Sequence, residues 1–465
     1  MAATQHQHRG AARSHHRAGA GRTAPGPAPH KLPGTLLGVW RDRLGLMTSV
    51  VQRYGDAVRI KMGPRTLYFF NHPDHAKHVL SDHAANYRKG IGLIHAKRVL
   101  GEGLLTSEGE LWRKQRRTIQ PTFRRERLAG FAPAVVDEAG AMLERLDAAA
   151  GRRPVNVVAE MTRLTLGVLG RTLLDADLTP FGMLGPAFEV VQDQAMFEMT
   201  TLNTVPLWLP VPRNRRFRAA RSQLEDVVFT LTAGREKDPR PGGDDVISRL
   251  LGAYRDERDA GLRRRRLRDE LVTILLAGHE TTASTLSWTW YLIDRHPEVA
   301  ARMTAEAKEV LGTRPPGYDD IRDLRYTNMV LQEAMRLYPP VWILPRRAVH
   351  EDEIDGYRVP AGGDVLICPY TLHRHPGFWR DPDRFDPQRF DPAGPGPAHR
   401  YAYIPFGAGP RYCVGNNLGM MEATLVAAMV ARRFRLRLVP GRRVAAEPML
   451  ALRARGGLPM TVTRI

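Results

Sequence analysis

"FGAGPRYCVG", residues 406–415, sets one of the two cysteines of this 465-residue chain in a loop with three glycines, a proline and an arginine. Two cysteines are too few for a disulfide framework or a cysteine-rich zinc site. Each thiol is therefore free to be a ligand, a nucleophile or a small buried hydrophobe. The loop decides between these only together with what precedes it.

About twenty residues upstream, "DPQRF" (386–390) closes a Pro-punctuated loop with Arg389, and before that "EAMR" places Glu333 and Arg336 three apart, on one helix face. Further back, "DELVTILLAGHETTASTLSWTWYLIDRH" (269–296) has the helical period and is apolar nearly all round from Leu271 to Leu286, so the helix is expected to cross the interior, broken at mid-length by Gly278. Glu280, Thr281 and Thr282 then put an acid and two hydroxyls where burial is costly unless each is satisfied. His279-Glu280 opens like the H-E-x-x-H zinc sequence, but position 283 is alanine and the second ligand is missing.

Helical periodicity also marks 134–146 and 330–338, whereas 56–70 alternates around Gly63-Pro64 as a hairpin, and short strands fit 354–367 and the carboxyl end. The chain reads as mainly α with a minor β-sheet region. Residues 1–32 carry no Asp or Glu and little that can be buried, which predicts a disordered basic tail ahead of one catalytic domain over 33–465. No apolar run is long enough for a secretory signal or a membrane span, so a cytoplasmic protein without a transmembrane anchor is expected. The net charge of +20, from 69 Lys plus Arg against 49 Asp plus Glu, admits nucleic acid, an anionic membrane or an acidic protein. No nucleic-acid-binding pattern accompanies it, so no nucleic-acid partner is expected.

The order of the buried A-G-H-E-T-T helix, E-x-x-R, P-x-R-F and F-x-x-G-x-R-x-C-x-G resembles the cytochrome P450 monooxygenases from about Pro33 to the end, with "RRTIQPTF" (116–123) and "RLYPPVWILPRRA" (336–348) similar to bacterial members that act on terpenoids. The resemblance implies that fold, with haem b (iron protoporphyrin IX) between a long distal helix and the cysteine loop and its helix. It implies Cys413 as the ligand to the haem iron, Phe406 shielding the sulfur, and Gly415 letting the next helix approach the haem. A thiolate is the soft, electron-rich ligand that favours O–O cleavage. Trp112, Arg116, Arg411 and Arg346 (or its neighbour Arg347) are expected at the haem propionates, and Glu333, Arg336 and Arg389 as a buried framework. On the distal side Thr281 with Glu280 is expected to relay protons, with Gly278 opening the helix locally and His279 a filler. Cys368, in the apparent strand "DVLICPY", is assigned to packing.

The expected reaction inserts one atom of O2 into a C–H bond of a hydrophobic small molecule, a terpenoid of secondary metabolism, with a fatty acyl chain or polyketide as alternatives. A haem carrier without turnover is a second class, opposed by the Glu280-Thr281 pair. Met196, Phe197, Met199 and Trp342 belong to segments expected to line the pocket. Two cysteines cannot hold a four-thiolate cluster, so electrons must come from a ferredoxin and its reductase, docking near Arg113, Lys114 and Arg117. A monomer is expected.

Overall fold

The computed structural model describes residues 22–28, 38, 41–62, 65–239 and 243–465. The helices that build the site are, in chain order, α1 (Gly109–Ile119), α2 (Arg125–Ala149), α3 (Val157–Leu169), α4 (Leu184–Thr201), α5 (Pro212–Lys237), α6 (Ala260–Asp294), α7 (Pro297–Leu311), α8 (Arg325–Leu337) and α9 (Asn416–Arg433). Helix α6 starts eleven residues before the apolar run, because the Asp259 side chain accepts from Leu262 N and caps it there. Its 35 residues span about 52 Å. Most residues from Leu267 to Ile293 are buried on every side, as its all-round apolarity requires.

The expected break at Gly278 does not occur, since the helix runs through it. The glycine has a packing role instead: a Cβ there would collide with Leu169 Cδ1 of α3, and α3 against α6 is the most extensive helix contact of the fold. Helix α9 is buried on every side from Met421 to Ala431 and packs against α2 and α7.

The sheet strands β1 (Ala57–Met62), β2 (Arg65–Phe70), β3 (Tyr87–Lys89), β4 (Leu344–Ala348) and β5 (Asp364–Ile367) lie in the order β1-β2-β5-β4-β3. The β1–β2 hairpin is antiparallel as its alternation predicts; its turn residues 63–64 lie outside the described residues. The carboxyl-terminal strand Pro459–Arg464 lies between Phe434–Leu438 and Val155–Asn156 and pairs antiparallel with both.

The expectation of a disordered tail over 1–32 does not hold for 22–28. Arg22 exchanges backbone hydrogen bonds with Gly356 and Arg358, Pro25 O accepts from Arg59 N, and Ala24 is buried. The edge strand β1 thereby gains a partner for an otherwise open N–H. Residues 1–21 and 29–32 of that stretch lie outside the described residues.

Candidate active site

The cysteine loop is shaped by backbone conformations that only glycine adopts freely: Gly407 and Gly409 have φ of 72° and 67°. A Cβ on Gly409 would also strike the carbonyl oxygen of Leu80. The loop closes with Cys413 N donating to Phe406 O at 3.0 Å. The N–H groups of Gly415 and Asn416 then point at the sulfur, at the positive end of α9. Burial pushes the Cys413 thiol up, and the Gly415 N–H, the Arg116 charge and the Asn416 N–H pull against it. Protein crowds the sulfur on the loop side, yet by surface area the residue is exposed, so it is open on another side. Cys368 is the opposite case: fully buried, its thiol donating to Trp342 O at 3.0 Å and raised by burial.

Four of the expected cofactor-binding side chains gather beside this loop. Arg116 Nη1 donates to Tyr412 O at 2.8 Å. The Arg411 guanidinium lies 4.7 Å from the Trp112 ring centroid and pairs with Glu108, while its buried Nη1 has no partner. Arg346 is buried with only Pro345 O, at 3.0 Å, as acceptor, and burial together with Arg411 pulls it down to about 10. Its neighbour Arg347 leaves β4 on the other face, as alternation dictates, and binds both oxygens of Asp364, at 2.9 and 2.7 Å. Of the two, Arg347 is engaged by a carboxylate and Arg346 is not, among the described residues.

Two residues of this group escaped the sequence reading. Lys89 stands opposite Arg346 in the β3–β4 register. It is buried, and its Nζ donates to Leu104 O and Ser107 O at 2.7 and 2.8 Å. Burial, then Arg411, pulls it down to about 6. Glu108 accepts from Lys89 N at 2.5 Å and pairs with Arg411. No motif contains either residue; only the cross-strand register brings Lys89 to Arg346. Lys89, Arg346 and Arg411 thus crowd one carboxylate, with a guanidinium nitrogen unpartnered. Such a cluster suits a ligand with more than one negative charge, and next to a thiol held by N–H groups it fits haem with its two propionates.

On α6, Thr281 Oγ1 donates to Ala277 O at 2.9 Å, one helical turn back. Burial raises the Glu280 carboxyl to about 8, opposed by the Arg453 charge and by the nearby Ala451 N–H and Gln192 side chain. His279 is buried against Phe188, bonded through Nδ1 to Leu275 O and pushed down to about 4 by burial, hence neutral. Trp342, expected near the substrate, is packed in the core with its indole donating to Met449 O at 2.8 Å. Phe197 lies under Arg213, 4.7 Å from its guanidinium carbon. Met196 is buried, and Met199 stands against Gly92.

Beneath the cysteine loop, Arg336 binds Glu333 at 2.7 and 2.8 Å and donates to the carbonyls of His373, Pro382 and Arg384. Arg389 Nε stands 3.4 Å from Glu333 Oε1. Both members of the Glu333–Arg336 pair are fully buried. Their bonds tie α8 to the segment that leads into the cysteine loop.

A thiol-bearing glycine loop, a cluster of buried basic side chains and a long buried helix together suit a haem protein. The sequence profile of the family described as Cytochrome P450 matches residues 24–456. Cyclooctatin synthase of Streptomyces melanosporofaciens is 37% identical over 93% of each chain. Pentalenene oxygenase of Streptomyces avermitilis is 33% identical over 90% of this chain and 92% of its own. A solved structure titled "Crystal structure of cytochrome P450DA heme domain" superposes with a TM-score of 0.85 at 25% identity, covering 96% of this chain and 98% of that one. The chain belongs to the cytochrome P450 family: it is a monooxygenase whose cofactor is haem and whose substrates are O2 and a hydrophobic small molecule. No helix among the described residues is long and apolar enough to cross a membrane.

Proposed function

We propose that this monooxygenase oxygenates a compact cyclic terpenoid, using Cys413 as the iron ligand, Arg116, Arg346, Arg411 and Trp112 at the propionates, and Thr281 and Glu280 in proton delivery. The observation that carries the substrate reading is the near full-length similarity to cyclooctatin synthase. Bound haem supplies the activation of dioxygen. The protein's own groups do the rest. The Gly415 and Asn416 N–H groups favour a thiolate at Cys413. Lys89 and Phe406 complete the surroundings, the first an amine that burial and Arg411 keep mostly uncharged near pH 7 and that an anion bound beside it would favour in its charged form, the second accepting the bond that closes the loop. The Thr281 hydroxyl, bonded to a carbonyl of its own helix, is free to accept and pass on a proton from water. Glu280, which burial favours in its protonated form, is a proton source near neutral pH.

The substrate reading is tested by titrating the purified haem-loaded protein with cyclic terpene hydrocarbons, their alcohols and long-chain fatty acids, followed by turnover. A Soret shift with a cyclic terpene, and a product heavier by one oxygen atom, are expected. A shift with fatty acids alone would overturn it.

Electrons are proposed to come from an acidic ferredoxin bound beside the cysteine loop, and the protein to act as a monomer in the cytoplasm. Exposed Arg117 is the freest of the three expected docking cations, since Arg113 pairs with Glu110 and Lys114 lies 5.0 Å from the Tyr254 ring. An open depression of about 660 Å3 adjoins this loop, lined by Gln332, Arg400, Phe406 and Tyr412 among others. Ferredoxin-supported turnover should fall steeply between 0.1 M and 1 M salt, over which the Debye length drops from about 10 Å to about 3 Å, while peroxide-supported turnover holds.

A further inference from the structure

The chain between α4 and α5 turns outward at an apolar apex. Leu209 N donates to Pro206 O, which closes a turn with Leu207 and Trp208 at its tip. Trp208 is 73% exposed, the most exposed large apolar side chain among the described residues, and Val211 follows at 40%. This is no loose loop. Buried Asn214 donates to Pro206 O and Leu209 O, both at 3.0 Å, and Arg98 holds Asn203 O and Val205 O at 3.2 and 3.0 Å. The structure thus fixes an indole in water, at a site that none of the described residues covers.

Charge surrounds that apex on one side only. Between Glu198 and Glu225 the sequence has no Asp or Glu and five arginines: 213, 215, 216, 218 and 221. Helix α5 buries Asn214, Phe217, Ala220 and Leu224, so its other faces carry Arg215, Arg216 and Arg218, all exposed and without an ion-pair partner among the described residues. Of the acids in α4, Asp193 is engaged by Arg453 and buried Glu198 by Arg98, each at 3.4 Å.

We propose that this apex docks the protein on anionic lipid bilayers, with Trp208 and Val211 entering the headgroup boundary and Arg213, Arg215, Arg216 and Arg218 meeting lipid phosphates. An exposed tryptophan with apolar neighbours and a basic collar is the arrangement that interfacial binding requires, since the ring gains from the acyl boundary and the arginines from the surface potential. A purely electrostatic partner, whether nucleic acid or an acidic protein, would use the arginines and leave the indole unexplained. The contact is peripheral, made by a turn and the first turns of one helix.

The test is co-sedimentation of the full-length haem-loaded protein with phosphatidylglycerol/phosphatidylcholine vesicles and with phosphatidylcholine alone, at 0.1 M salt. Binding to the anionic vesicles, weak binding to the neutral ones and release at 1 M salt are expected. Trp208→Ala should weaken anionic binding about tenfold, and the triple change Arg215→Glu, Arg216→Glu, Arg218→Glu at least a hundredfold. Fluorescence quenching by lipids spin-labelled on the acyl chain should be lost in Trp208→Ala. The carbonyl-complex spectrum of each variant reports that it is folded. Three results would each overturn the proposal: no binding of the parent, full binding by the Trp208→Ala and triple variants, or an equal loss in the control Arg442→Glu, Arg443→Glu, whose arginines are exposed elsewhere.

Discussion

Around Cys413 the backbone does the positioning, whereas along α6 the packing of side chains does. The cysteine loop holds its sulfur with left-handed glycines, a Phe406–Cys413 backbone bond and two N–H groups. None of these needs a particular neighbour in the rest of the chain, apart from the Leu80 carbonyl against Gly409. Helix α6, in contrast, takes its local character from partners far away in sequence: Leu169 against Gly278, Phe188 against His279, and Gln192 and the Ala451 backbone against Glu280. A local device can be read from spacing; a packing device cannot.

That difference explains what was legible. The fold class, the hairpin, the long helix and the Glu333–Arg336 pair follow from periodicity and spacing, and the structure has them. Lys89 and Glu108 were missed because a cross-strand register and a loop approach bring them to Arg346 and Arg411. Gly278 was misread because glycine within a helical run signals equally a break and a close approach; only the position of Leu169 decides. Trp342 was misplaced for a related reason, since an apolar side chain near a pocket segment and one in the core look alike in sequence. The tail's last described residues were misread because backbone pairing to Arg59 and Gly356 uses no apolar side chain.

The sharpest way to break the comparison is to exchange the fates of the two thiols. Cys413→Ala should abolish the red-shifted Soret band of the reduced carbon monoxide complex. Cys368→Ala should keep the band and cost about 1 kcal/mol of stability, as removal of a small buried group does. Retention of the band in Cys413→Ala would remove the loop from its assigned role.

Next in size is Thr281→Ala. The hydroxyl bonds only to a carbonyl of its own helix, so folding and haem spectrum should be unchanged. Product formed per electron consumed should fall by about 10²-fold, the low end of what a positioned proton donor contributes, with hydrogen peroxide released instead. Unchanged coupling would take Thr281 out of proton delivery.

The packing reading of α6 is sharpened by Gly278→Ala. The added methyl must displace Leu169, an overpacking that costs about 1–3 kcal/mol. Leu169→Ala makes room for it. In urea unfolding, the double variant should therefore lose less than the sum of the two single changes. Simple additivity would mean that the two residues do not share the space and that the glycine serves helix opening after all.

The smallest effect expected is the pH dependence contributed by Glu280. Burial raises its carboxyl from 4.5 to about 8 in the folded protein. Across that window the unfolded chain has released the proton and the folded protein still holds it, so this group's contribution to stability is fully present below pH 4.5 and is lost as pH rises toward 8. Glutamine at this position has the shape of the neutral acid and no proton to lose. The Glu280→Gln variant should therefore gain stability relative to the parent between pH 5 and pH 8, read as a widening difference in urea midpoints. Each unit of pKa difference corresponds to about 1.4 kcal/mol, so even a fraction of the shift is measurable. Glu270, raised to about 8 by burial as well, tilts parent and variant alike and cancels in the comparison. A midpoint difference that stays flat across this range would mean that Glu280 is ionised in the folded protein at pH 5. The Arg453 charge and the Ala451 and Gln192 hydrogen bonds would then outweigh burial, and α6 would hold its acid charged.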